Sequence, residues 1–189
     1  MVKKMDILTI GFIGAIIVVV LILVGLYFTY YNRIRVAENQ ISNAWAQIDV
    51  ILKKRYDLIP NLVETVKGYA AHEKEIFENV AAARAGMIQG TPQQRMDASN
   101  MLTSSLRQLF AVAEAYPQLK ANENFMMLQQ ELQVIEDQIA SSRQFYNTTV
   151  LNFNNLITTI PGVWFAGGRT KHEFLVVPEG ERQVPKVQF

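Results

Sequence analysis

The stretch RYDLIPNLVETVKGYAAHE, from Arg55 to Glu73, joins two kinds of sequence. Before it lie a charge-free segment and a regular apolar repeat, and after it come helical patterns separated by Gly and Pro. Within the stretch, Asp57 can cap a new helix, because Pro60 would then fall in the first turn, where its missing N–H costs little. The alternative is one helix kinked at Pro60. The residues favour a break or a sharp kink here.

A charge-free segment occupies residues 7–32. It is apolar on every side of a helix and longer than the ~20 residues that cross a bilayer. Tyrosines at its end suit the headgroup layer; they are Tyr27, Tyr30 and Tyr31. A cleaved signal peptide would have a shorter apolar core, about 7–15 residues, followed by an A-x-A-like site. The pattern therefore predicts a retained, single-pass membrane anchor within residues 1–32.

The charges that flank this anchor leave its orientation open. Lys3 and Lys4 precede it, and Arg33 and Arg35 follow it, so the positive-inside rule gives the two sides nearly equal weight. The free N-terminal amino group slightly favours a cytoplasmic tail.

Composition excludes several classes of function. Removing Lys3, Lys4 and Asp6 from the 18 basic and 17 acidic residues leaves 16 of each. A neutral domain gives no electrostatic reason to expect nucleic acid as a partner. The chain has no cysteine, which excludes disulfides, thiol catalysis and thiolate metal sites.

A heptad repeat follows the anchor. Isoleucine recurs every seven residues, at Ile34, Ile41 and Ile48, which is one edge of an a/d seam. No Gly or Pro lies between Tyr27 and Asp57, so the anchor and the first helix are predicted to form one continuous rod of roughly 75 Å.

Three further helices are predicted. The second runs from Asp57 to about residue 89 and has Glu73 on its apolar stripe. The third begins at a capping box, residues 91–94, and stops before Pro117. The fourth is capped by Asn122 and would be about 57 Å long, antiparallel to the first. Its seam comprises Phe125, Leu132, Ile139, Tyr146, Phe153 and Ile160.

These patterns together predict an all-α fold. The anchor continues into an antiparallel bundle of about four long helices, residues 33–161. Residues 162–189 form an extended C-terminal tail. Its short apolar runs either lie along the bundle or pair with another chain.

Several blocks of the chain resemble the LemA family of bacterial membrane proteins. They are the opening stretch Arg55 to Glu73, VAAAR ending at Arg84, AEAYPQLKANENF from Ala113 to Phe125, the run from Arg143 with Tyr146-Asn147, and the closing VPKVQF. The resemblance implies an N-terminally anchored bundle in the bacterial inner membrane, with its folded domain in the cytoplasm. It supplies no reaction, because the family has no agreed activity. One relative is tied to magnetosome membrane formation, and others occur beside membrane metalloproteases.

No motif requires catalysis. A His-Glu metalloprotease motif needs a second His four residues after His72, but that position is Ile76. Charged residues on or beside the seams are expected to form a structural salt-bridge network with partners on other helices; they are Glu73, Arg84, Glu136 and Arg143. Glu73 is expected to be buried and paired with Arg84 or Arg143. We predict no catalytic, cofactor-binding or metal-ligating residue and no enzymatic activity.

The sequence favours a structural or interaction protein whose partners are the bilayer, further copies of itself and another membrane protein. The alternative is a regulatory or ligand-sensing partner of a membrane protein such as a metalloprotease. Contacts between copies are expected at Ile34 and Ile41, because the fourth helix is shorter than the rod. Met126 and Met127 are expected in core packing, with a partner groove as the alternative.

Overall fold

The computed structural model describes residues 7–176, with side chains from Ile10 onward. Within them the chain forms five α-helices and a 3₁₀ turn: α1 (Ile7–Lys67), α2 (Lys74–Gly86), α3 (Pro92–Ala113), α4 (Pro117–Lys120), α5 (Glu123–Thr158) and the turn Gly162–Phe165. No strand occurs in this part of the chain, and the predicted all-α class is confirmed. The closing VPKVQF, from Val184, lies outside the described residues.

α1 is a single helix of 61 residues, so the predicted continuous rod is confirmed and the predicted break at Asp57 is wrong. Pro60 lies inside the helix and has no N–H to offer the carbonyl of Tyr56, four residues earlier. Arg84 of α2 replaces that donor: its Nε donates to the Tyr56 carbonyl oxygen at 3.0 Å. The Arg84 guanidinium also lies 3.6 Å from the centre of the Tyr56 ring. A tertiary contact therefore satisfies the acceptor that the proline leaves open.

This replacement can be measured with a double-mutant cycle. Arg84→Leu should destabilise the bundle by about 2 kcal/mol, because it removes a charged hydrogen bond and a cation–π contact. In a Pro60→Ala background the helix can supply its own N–H to Tyr56, so the same change should cost about 1 kcal/mol less. Urea unfolding in detergent, followed by helical circular dichroism, gives the four stabilities. Strictly additive effects would contradict the compensation, and Arg107→Leu, at an exposed arginine, is the control.

The helix boundaries after α1 are partly as predicted. The predicted second helix is wrong: α1 ends at Lys67 and α2 begins only at Lys74, so Glu73 precedes α2 instead of lying on a stripe. The capping box is confirmed, since the Gln94 N–H donates to Thr91 Oγ1 and the Thr91 N–H donates to Gln94 Oε1. The cap of α5 is confirmed too: the Phe125 N–H donates to Asn122 Oδ1 at 3.0 Å.

The chain divides into two compact units, and α1 and α5 contribute to both. The larger unit is Ser42–Thr148 with residues 173–176. Here α1 and α5 are antiparallel, because Trp45 contacts Tyr146, with ring centroids 6.3 Å apart, while Arg55 contacts Glu136. Residue numbers therefore increase along α1 in the direction in which they decrease along α5.

The other unit comprises residues 7–41 and Thr149–His172. Ile34 and Ile41 are buried inside it, so the prediction that they contact other copies is wrong. The α5 residues 152–159 line a groove together with α1 residues 32–40, which shows that α5 reaches this far. The length by which α1 exceeds α5 lies mainly in the charge-free segment. Ile160, the predicted end of the seam, is exposed because α5 stops at Thr158.

Among the described residues, α1 is the helix that is long and apolar enough to cross a membrane. Its best 18-residue window has a mean hydropathy of 2.9 and is not buried within the protein. Large apolar side chains are exposed throughout residues 16–24. Such a surface is stable in hydrocarbon and unfavourable in water, as expected of a membrane anchor.

The described part of the tail lies extended along α5. In one unit, the side-chain amide of Asn154 donates to the His172 carbonyl and accepts from the His172 N–H, both at 2.9 Å. In the other, Asn147 makes the same pair of bonds to Leu175, whose side chain is buried. Each asparagine satisfies the backbone groups that a neighbouring strand would otherwise pair. Residues 171–176 therefore lie along the bundle.

Candidate functional site

A buried guanidinium interrupts the apolar stripe of α1. Arg55 continues the seven-residue spacing of Ile34, Ile41 and Ile48 and is followed seven residues later by Leu62. Its side chain is 2% exposed, although charged groups are rarely buried unless paired. Arg55 is the most deeply buried charged side chain among the described residues.

Two other helices, α3 and α5, supply the partners of Arg55. Its Nη2 lies 2.9 Å from Glu136 Oε2 on α5. From α3, Ser99 Oγ accepts from Nη1 at 2.8 Å, and Thr103 Oγ1 accepts from Nη2 at 2.9 Å. The Thr103 hydroxyl also donates to a Glu136 carboxylate oxygen at 3.2 Å. The cluster therefore ties α1, α3 and α5 together with charge-assisted bonds.

Burial and neighbouring charges act in opposite directions on the Arg55 guanidinium. Burial lowers the pKa of the Arg55 guanidinium, Glu136 opposes that shift, and the nearby Arg143 adds to it. An arginine nevertheless stays protonated in proteins, so Arg55 needs a counter-charge. Glu136 supplies it while its own side chain remains 31% exposed. Nε of Arg55 has no hydrogen-bond partner among residues 7–176.

A cavity of about 200 Å³ adjoins the pair. Its walls mix charged, amide and apolar groups: Arg55, Thr103, Leu106, Arg107, Phe110, Gln129, Leu132, Gln133 and Glu136. Arg107 is exposed to solvent, whereas Arg55 is closed off. The arrangement can hold a small anionic or amide-bearing molecule between guanidinium and amide groups.

The structure brings together only part of the predicted charge network. Glu136 pairs across helices as predicted, and Arg143, which is buried, donates to Asn100 Oδ1 on α3 at 2.9 Å. The prediction for Glu73 is wrong, because its side chain is only half-buried and no ion pair joins it to Arg84 or Arg143 among the described residues. Sequence reasoning also missed Arg55. The heptad spacing was the signal that could have found it.

The histidines do not form a metal centre in this part of the chain. His72 is exposed, and His172 lies against the Phe153 ring with its backbone held by Asn154. Within residues 7–176 no three His, Asp or Glu side chains are grouped so that they could hold a metal ion.

A second feature of the larger unit is an apolar surface on α5, formed by Met126, Met127 and Val134. Met127 is 67% exposed and the other two are about half exposed. Beside them, Met127 and Leu128 line a shallow groove with Asn61 and Thr65 of α1. The prediction that Met126 and Met127 pack in the core is wrong, although Phe125 next to them is buried. We call this the α5 surface.

Comparison with known proteins gives a consistent result. The model of the LemA family matches residues 44–189. Protein LemA of Metamycoplasma hominis is 25% identical, over 70% of this chain and 63% of its own length. Magnetosome protein MamQ of Magnetospirillum gryphiswaldense is 26% identical, over 64% and 54%, and MamQ 2 of Paramagnetospirillum magneticum is 24% identical, over 82% and 68%. The chain thus spans little more than half to two thirds of these relatives.

Proposed function

This chain belongs to the LemA family, and from that premise we propose that it is a non-enzymatic interaction protein of the bacterial inner membrane. A single pass of α1 anchors it there. Copies of the protein assemble through the α5 surface and so organise or shape the membrane around them. Met126, Met127 and Val134, which are exposed on α5 beside a shallow groove, carry this proposal.

The anchor favours assembly in two ways. It confines all copies to one membrane, which raises their effective concentration. It also attaches every copy to the membrane by the same end of the same helix, because the charge-free segment is the N-terminal part of α1. The balance of 16 basic and 16 acidic residues beyond Asp6 keeps repulsion between copies small.

The chemistry of the α5 surface also suits association. Methionine is flexible and polarizable, so it fills irregular gaps against a partner. Val134 lies seven residues after Met127 on the same face of α5. Exposed apolar groups of this size, next to a shallow groove, mark interaction sites when they cluster.

The test is the mass of the full-length protein in mild detergent, measured by light scattering at micromolar concentration. The native chain should form oligomers. Met127→Glu with Val134→Glu should release monomers, because a charge buried at an interface is strongly unfavourable. The bundle should stay folded, since both positions are exposed.

A matched control is Met101→Glu, at an exposed methionine of α3 outside this surface. It should leave the oligomer intact. A native chain that is monomeric, or oligomers that survive the double substitution, would rule out assembly through the α5 surface.

A second function, ligand sensing in the regulation of another membrane protein, is supported by the cavity beside Arg55 and Glu136. In that case the same light-scattering measurement should find a monomer. A small dicarboxylate should raise its melting temperature, because binding to the folded state stabilises it by mass action. The rise should be lost in Arg107→Gln, which removes the exposed cation without touching the buried pair.

A further inference from the structure

The turn after α5 carries the two most exposed large apolar side chains among the described residues. Ile160 is 72% exposed and Trp164 is 71% exposed, and Val163 between them is also exposed. These side chains lie together in one short turn, residues 160–165. Clustered exposure of large apolar groups marks a surface that meets another apolar phase.

The turn is fixed at the end of the charge-free segment. The Phe165 ring stacks on Tyr30, with centroids 5.4 Å apart, and meets Tyr27 edge-on at 6.2 Å. Both tyrosines belong to the last two turns of residues 7–32. Ring contact places the turn at the same height along α1 as the end of the charge-free segment.

Both ends of the turn, residues 160–165, are fixed to the rest of the unit. The turn follows directly from α5, and the chain then reverses at Gly167 and Gly168, whose φ angles are +58° and +76°, a region that favours glycine. Asn154 fixes the returning segment by its two bonds to His172. The exposed side chains therefore sit on an anchored loop.

Positive charge surrounds the same level. The Arg33 guanidinium lies 5.6 Å from the centre of the Tyr30 ring, and those of Arg35 and Arg169 lie 5.7 Å from the centre of the Tyr31 ring. Glu38 pairs with two of these three guanidinium groups, those of Arg35 and Arg169. This excess of positive charge favours the phosphates of lipid headgroups.

We propose that residues 160–165 form a second membrane contact. Trp164, Val163 and Ile160 insert into the boundary between headgroups and acyl chains of the bilayer that α1 crosses, and the arginines bind lipid phosphates. Indole rings favour that boundary because one edge is polar and the body is apolar. The bilayer is the occupant because the turn is continuous, through Phe165, with the end of the anchor. This inference rests on the proposed anchoring by α1.

The absence of cysteine allows single spin labels in the full-length protein, reconstituted in phosphatidylcholine vesicles with phosphatidylglycerol. Labels are placed by Trp164→Cys, Val20→Cys and Leu151→Cys, all at exposed apolar positions. The label at position 20 reports whether the anchor lies in lipid. Leu151 lies on α5, roughly 13 Å before residue 160. For each label, collisions with oxygen, which concentrates in lipid, are compared with collisions with a water-soluble nickel chelate.

The label at 164 should favour oxygen severalfold over the label at 151, and the label at 20 should favour it most. A label at 164 that reports water, while the label at 20 reports lipid, would overturn the second contact and leave the anchor standing. A label at 20 that also reports water would overturn both. A preference for oxygen at 164 that disappears when the protein is diluted with lipid would overturn the proposal in favour of contact between copies.

To exclude an effect of the label, native Trp164 is measured in a Trp45→Phe background with quenchers attached to lipid. Quenching of the remaining tryptophan supports insertion. Fluorescence unaffected by these quenchers would contradict it.

Discussion

Glu136→Gln should lower the stability of the bundle by about 3 kcal/mol, because it leaves the buried guanidinium of Arg55 without a counter-charge. Glutamine keeps the size of the side chain and an acceptor oxygen, so the loss reports the charge and not a cavity. Arg143, whose nearby charge also disfavours the charged form of Arg55, adds to the loss. For a chain of this length the melting temperature should fall by roughly 6–12 °C.

The matched control is Glu131→Gln on the same helix. Glu131 is exposed, and exposed substitutions usually change stability by less than about 0.5 kcal/mol. Both melts are followed by circular dichroism in the same detergent. Equal midpoints for the two variants would show that the Arg55–Glu136 contact does not hold the three helices together.

Ala37→Pro should cost about 3 kcal/mol and should also disconnect the bundle from the anchor. Proline at this position removes an N–H and clashes with the carbonyl four residues before it. Here α1 has just left the charge-free segment, and no partner equivalent to Arg84 is seen near this carbonyl among the described residues. The expected result is a sharp bend or a local unwinding.

Distances between spin labels at Thr29→Cys and Gln40→Cys measure this directly. In the native helix the two labels should give one narrow distribution, because the backbone between them rises by roughly 17 Å. Ala37→Pro should broaden or shift it. Ala37→Gly, which costs about 1 kcal/mol without breaking a helix, should leave it narrow. A broad distribution in the native protein would mean a flexible linker in place of the continuous helix.

Features that depend on neighbours in sequence could be predicted. The caps at Thr91 and Asn122 and the charge-free segment are local patterns, and each lies where its residues indicate. The end of α1 could not be predicted in the same way. Whether α1 continues past Pro60 depends on Arg84, and no local sequence pattern connects Arg84 to Tyr56.

The candidate site could be predicted only in part from the sequence, for the same reason. Glu136 beside an apolar seam signals a partner on another helix, but its identity as Arg55 depends on how α1 and α5 align. The burial of Ile34 and Ile41 likewise depends on how far α5 reaches along α1. A heptad repeat shows that a side chain is covered without showing what covers it.

The contact between Arg84 and Pro60 also constrains how such a chain can change by mutation. If Arg84 is lost first, the intermediate has an unsatisfied Tyr56 carbonyl beside a proline. If Pro60 is lost first, the helix closes its own bond, and the later loss of Arg84 costs about 1 kcal/mol less. The two replacements are therefore epistatic. Replacing Pro60 first avoids a destabilised intermediate, whereas replacing Arg84 first produces one.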